Sequence, residues 1–109
     1  MKKLLMILAS VALMASVAQA DVKKGQKAYL KTFKSDFAMN GTKFAVEHSV
    51  AEWEALFADG AKGFIKEYGE RFPSAQAKLN NPSNADKLQD IGDFVKEYGN
   101  DSGNVPSCG

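Results

Sequence analysis

Tyr29, Phe33 and Phe37 recur at every fourth position, with Leu30 beside the first of them. Side chains four residues apart lie on one face of a helix, so this spacing predicts a helix from about Val22 that carries a single aromatic stripe and needs a partner to cover it. Lys23, Lys24, Lys27, Lys31 and Lys34 occupy the other faces. Gly25 costs a helix interior about 1 kcal/mol relative to alanine, which implies either a close backbone approach there or a helix that begins nearby. Asn40-Gly41 tolerates positive φ and is expected to end the element.

Downstream signals are also helical. Ser49 followed by Glu52 forms a capping box, so a helix is expected to begin near Val50, with Val50, Trp53, Leu56 and Phe57 on one side. Asp59-Gly60 should end it. A second short helix is expected from about Ala61 to Phe72, where Phe64, Ile65, Tyr68 and Phe72 make an apolar face, and Pro73 is the stop. The stretch from Ser74 to Asn84, rich in Ser, Asn and Pro, is expected to be an exposed loop. Ser83 or Asn84 can cap a last helix, Ala85 to Tyr98, with Asp86 near its positive end, Lys96 near its negative end and Gly99 as the residue after it. Phe64 to Gly69 nearly repeats as Phe94 to Gly99, but the likeness ends after these six residues, and a repeat architecture needs about three units or more. No run alternates apolar and polar residues. The expected fold class is therefore all-α, with three to four short helices.

Lys2-Lys3, the apolar run from Leu4 to Val17 and Ala18-Gln19-Ala20 have the layout of a secretory signal peptide cleaved after Ala20. The expected organisation is a signal peptide over 1–20, a helical domain over 21–99 and a flexible tail over 100–109 that carries Cys108. A chain of this size buries roughly 60–65% of its unfolded surface, enough for one modest core. Losing Lys2 and Lys3 from 14 basic residues leaves 12 against 13 acidic ones, a net charge near −1. Neither nucleic acid nor, after cleavage, a membrane is implied as a partner. The expected location is periplasmic or secreted, where a small domain with a single cysteine must be held by packing alone.

Large rings are abundant and have two uses. They can line a flat slot for a planar ligand such as haem, or they can fill a disulfide-free core, each burying about 150–250 Å². Packing is the expected use. The acidic residues have neither metal-site nor catalytic spacing: Glu52 is taken by the capping box, and Asp86, Asp90, Asp93 and Glu97 follow a solvated helix face. With no H-x-x-x-H, C-x-x-C, phosphate loop or nucleophile elbow, no enzymatic activity and no metal site are expected.

The glycine at 25 and the tyrosine at 29, followed by a five-residue site and a turn, resemble the first helix of small class I c-type cytochromes. Leu88, Ile91, Phe94, Val95 and Tyr98 resemble the last helix, which crosses it in that family. Laid on the Cys-x-x-Cys-His haem-attachment pattern, the two cysteines fall on Phe33 and Asp36 and the histidine on Phe37. From Asp21 to Cys108 the chain is similar to small periplasmic proteins loosely called cytochrome c, through G-x-K-x-Y-L-K, M-N-G-x-K-F-A, H-x-x-x-E-W and D-S-G-N-V-P-S-C. The resemblance implies a cytochrome-c-like crossing of first and last helices and an accessory or interaction role in periplasmic electron transfer, with a periplasmic, redox-linked protein as partner and no covalent haem.

Two alternatives stay open. Met39 and His48 are the only methionine and histidine after cleavage and make an axial pair for non-covalent haem. Their spacing of nine residues argues against this, because opposite axial positions normally come from separate segments. Cys108, on a polar tail, is a thiol of ordinary pKa of about 8.5 in an oxidising compartment. It suits a thiol carrier by analogy of layout with sulfur-oxidation carrier proteins, another mixed disulfide, or a disulfide-linked dimer.

Overall fold

The computed structural model describes residues 22–106, and among them the chain is all-helical with no strand. The expected signal peptide over 1–20 and Cys108 lie outside the described residues. Helix α1 covers 22–32. It is followed by α2 (Lys34–Phe37), α3 (Gly41–Ala45), the long α4 (Val50–Arg71), α5 (Gln76–Leu79) and α6 (Ala85–Tyr98). Among the described residues six helices stand where three to four are expected, because three of them are single turns of four or five residues that carry no periodic signal of their own.

The aromatic stripe of α1 behaves as its spacing predicts. Tyr29, Phe33 and Phe37 are all buried, and helical hydrogen bonding continues past the irregularity at Phe33 through Phe33 N–H to the Tyr29 carbonyl and Phe37 N–H to the Phe33 carbonyl, each 2.9 Å. The turn that ends α2 sits at Ala38, with φ 56°, and not at Asn40-Gly41. Asn40 instead caps α3: its side-chain oxygen accepts from the Lys43 amide at 2.8 Å.

Gly25 explains how α1 meets α6. A Cβ there would fall 1.9 Å from the Asp90 carbonyl oxygen and 2.8 Å from the Phe94 Cβ, so only hydrogen fits between the two helices. Close backbone approach, the first of the two sequence-based options, is the use made of this residue.

Helix α4 opens on the expected capping box. Ser49 Oγ accepts from the Glu52 amide (3.2 Å), and the Glu52 carboxylate accepts from the Ser49 amide (2.9 Å). The helix is broken where Asp59-Gly60 predicts. Ala58 is extended, and Asp59, Gly60 and Ala61 follow with φ of 53°, 71° and 62°. The second arm then runs to Arg71, with Phe64 and Tyr68 buried, and α6 packs along α4.

The stretch from Ser74 to Asn84 is exposed at most of its positions, as its composition suggests, but it is built of helical turns and is not a loop. It forms 3₁₀ turns at Pro73–Ala75 and Pro82–Asn84 around α5, and it is anchored by the buried Ala75, Leu79 and Asn84. Gln76 donates to the Gly69 carbonyl at 3.0 Å, and Asn84 Nδ2 to that of Lys78 at 3.0 Å. A few inward apolar residues and local amide bonds order the segment without helical periodicity. Asn84 is the N-cap of α6 by position, but its side chain is spent on that Lys78 bond.

Gly99 ends α6 in an extended conformation (φ −52°, ψ 158°) and not in the left-handed one expected after a helix. A Cβ there would lie 2.8 Å from the Val50 nitrogen, so space selects the glycine. The chain then returns over the start of α4. Asn100 N–H donates to the His48 carbonyl (3.0 Å), Asp101 accepts from the Val50 amide (2.9 Å), and Asn104 donates to the Glu97 carbonyl (3.2 Å). The first part of the tail is thus tied to the domain.

Candidate functional site

Three places bear on function: the ring cluster under α1, the polar group around His48, and a groove along α6. In the ring cluster Tyr29 and Phe44 stack with centroids 4.2 Å apart and planes 4° apart, and Phe37 lies 5.3 Å from Phe33 and 4.7 Å from Phe72. Phe64 bridges to Phe57 at 4.5 Å and to Tyr68 at 4.8 Å, while Trp53 meets Phe44 edge-on at 5.3 Å. The Trp53 ring N–H donates to the Ala45 carbonyl (2.8 Å) and the Tyr29 hydroxyl to the Met39 carbonyl (2.6 Å), so the polar ends of the rings are satisfied. Burial, with Glu47 nearby, drives the Tyr29 phenol well above its ordinary pKa.

Each position at which the cytochrome pattern places an attachment residue has a structural task in this chain. Phe33 (0% exposed) and Phe37 (3%) are core rings. The Asp36 carboxylate accepts from Lys78 Nζ at 2.7 Å and from Ser74 at 3.0 Å, which clips the 73–79 segment to α2. The Lys78 hydrogen bond holds the Asp36 carboxyl below its usual range. Lys78 also donates to the Thr32 carbonyl (2.9 Å).

His48 is half-buried and edge-on to Trp53 at 4.7 Å. Its Nε2 pairs with Glu67 at 2.7 Å, and its Nδ1 faces Glu52 at 3.6 Å. Next to it the Arg71 guanidinium binds Glu47 through both oxygens (2.9 and 3.0 Å) and lies over the Tyr68 ring. The Tyr68 hydroxyl also donates to Glu47 (2.5 Å). Burial by itself would raise the Glu47 carboxyl, but the hydrogen bonds from Arg71 and Tyr68 outweigh it and hold the group below its ordinary range. Burial and the Glu47 bond push the Tyr68 phenol far up, and Glu47 likewise raises Arg71. The visible effect of this network is mechanical, because it staples the α3–α4 turn to the second arm of α4.

Met39 is placed elsewhere. It lines a shallow groove of about 360 Å³ with Leu30, Lys34, Ser35 and Ala38, which does not include His48. No group of three or more His, Cys, Asp or Glu placed to hold a metal ion occurs among the described residues. The residues present do not fit haem well: the attachment positions are core rings and an ion-paired aspartate, and the imidazole already meets two carboxylates.

The third place was not visible from sequence. A cleft of about 500 Å³ runs between the break in α4, the α5–α6 connection and α6. Its floor is apolar, with Phe57, Ile65, Leu79 and Leu88, and its rim is polar, with Asn80, Asp86, Gln89, Asp93 and Lys96. The face of α6 that it follows spans Ala85 to Lys96, about 16 Å at 1.5 Å per residue. The helix break at Asp59-Gly60 and the Asn80-Asn81-Pro82 run marked its two walls, but only their proximity in space makes it a cleft. No protein-family model, no curated protein and no solved structure matches this chain.

Proposed function

We propose that this chain is a small exported, cytochrome-c-like protein without covalent haem. In this reading it has an accessory or interaction role in periplasmic electron transfer, binds a periplasmic redox protein as partner and carries no catalysis of its own. The observation that carries the reading is the pair Phe33 and Phe37, whose rings are buried and stacked at the positions where the cytochrome pattern calls for a thiol and an imidazole. Further support comes from Gly25, whose approach to Asp90 and Phe94 is the contact expected if first and last helices cross as in a cytochrome c. For the interaction role, Lys23, Lys24, Lys27, Lys31 and Lys34 are all exposed along α1 and α2, a basic strip suited to an acidic partner surface.

An absorption scan of the protein isolated from the periplasm tests this reading. A spectrum with only the aromatic band near 280 nm is expected. A Soret band that survives acid–acetone extraction overturns the absence of covalent haem, and one removed by extraction shifts the reading to non-covalent haem held through His48 and Met39. Capture of a redox partner that weakens as salt rises supports the lysine strip as its docking face.

A further inference from the structure

The groove along α6 has the make-up of a small-molecule site. Its volume of about 500 Å³ lies within the roughly 300–1,000 Å³ typical of ligand pockets, and it combines an apolar floor with a few polar groups at the rim. One wall is strained. Three successive residues, Asp59, Gly60 and Ala61, are left-handed, and two of them carry a Cβ, which costs about 1–2 kcal/mol per residue. Strain of this kind persists only where the surroundings enforce it, and it concentrates at ligand-binding positions. The opposite wall is fixed by Leu79, buried at the end of α5.

The polar groups decide which ligand fits. At the far end Asp93 and Lys96 face each other at 3.7 Å and largely cancel. At the near end Asp86 is exposed and has no ion-pair partner among the described residues. Asn80, which also lines the cleft, donates from Nδ2 to the Gln76 carbonyl (2.9 Å), and its side-chain oxygen remains an acceptor. An apolar trough with an unpaired carboxylate at the start of α6 and a further acceptor in its lining complements a molecule with an apolar body and a protonated amine at one end. We propose that the groove between the α4 break and α6 binds a small cationic amphiphile, its ring or chain lying on Phe57, Ile65, Leu79 and Leu88 and its ammonium group at Asp86.

Three ligands with one ring system separate shape from charge: 1-naphthylmethylamine, 1-naphthalenemethanol and 1-naphthylacetate. Each is titrated into the ¹⁵N-labelled protein, with amide shifts of residues 79–96 and Trp53 fluorescence as readouts. Trp53 reports because its ring lies 6.0 Å from Phe57, which forms part of the floor. The amine should bind about five-fold more tightly than the carboxylate, the size expected of one solvent-exposed charge, with the alcohol between them. Asp86→Asn should reduce that preference to near unity while the alcohol binds unchanged. Ala85→Phe, at an exposed groove position, should weaken all three. Unchanged far-ultraviolet dichroism of both variants shows that the fold is retained. The proposal is overturned if none of the three binds at millimolar concentration, if the carboxylate binds as tightly as the amine, if the shifts fall outside the groove, or if Asp86→Asn leaves the preference intact.

Discussion

The core side and the groove side of α4 are built from opposite kinds of residue. Toward α2 and α3 the second arm presents Phe64 and Tyr68, which meet Phe37, Phe44 and Trp53 and are fully buried. Toward α6 the break presents Gly60 and Ala61, with Ile65 after them, and a cleft remains. Phe57 belongs to both sides, stacked on Phe64 at 4.5 Å and lining the cleft with its edge near Gly92. Where large rings meet, the volume is filled. Where glycine and alanine stand at a bend, space is left. One short chain thus encloses a ring-packed interior and keeps an open trough on the other side of Phe57.

The comparison breaks most readily on the filled side. Phe44→Ala removes a fully buried ring stacked on Tyr29, and a loss of about 3–5 kcal/mol is expected from chemical denaturation monitored by Trp53 fluorescence. A loss under about 1 kcal/mol would mean that the rings are not packed as described. Gly25→Ala acts by insertion, since its Cβ would fall on the Asp90 carbonyl. About 3 kcal/mol is expected, because backbone and not a flexible side chain must move.

Glu47→Gln tests the polar staple over the filled side. The folded-state pKa of Glu47 lies below its unfolded value near 4.5, so its contribution is present above about pH 4.5 and is lost as pH falls through the lower folded value. The variant should cost about 1–2 kcal/mol at neutral pH, and its deficit relative to wild type should shrink on acidification below that point. An unchanged deficit in acid would contradict an ionised Glu47 in the staple.

The smallest effect is expected on the open side. Gly60→Ala places a methyl where no atom lies within 4 Å, so only the left-handed backbone at φ 71° resists it and about 1 kcal/mol is expected. The two glycine variants together distinguish steric cost from conformational cost.

The main helices were legible because their signals are local. The four-residue aromatic stripe, the Ser49/Glu52 capping box, the Asp59-Gly60 break and the span Ala85–Tyr98 all correspond to observed features. Features that depend on partners distant in sequence were not legible. The role of Asp36 needs Lys78, 42 residues on, and that of His48 needs Glu67, 19 residues on. The stretch from Ser74 to Asn84 is mostly exposed, as its polar composition implies, but its helical turns are not legible, because the buried Ala75 and Leu79 anchor them without periodicity. Two glycines whose reasons are steric, Gly25 and Gly99, were noticed as glycines, but what they approach is set by tertiary packing. The groove had no sequence signature, because a cleft consists of what its neighbours leave unfilled.

If rings fill the interior, the chain folds without a pigment. The most direct measurement is near-ultraviolet circular dichroism and denaturant unfolding of residues 21–109, made in a cytoplasm that lacks haem-attachment machinery. The account predicts strong, fixed aromatic signals, a buried Trp53 emission and one cooperative transition. A chain with helical far-ultraviolet signal but no near-ultraviolet signal, which binds a hydrophobic dye and sharpens only when haem is added, would contradict it.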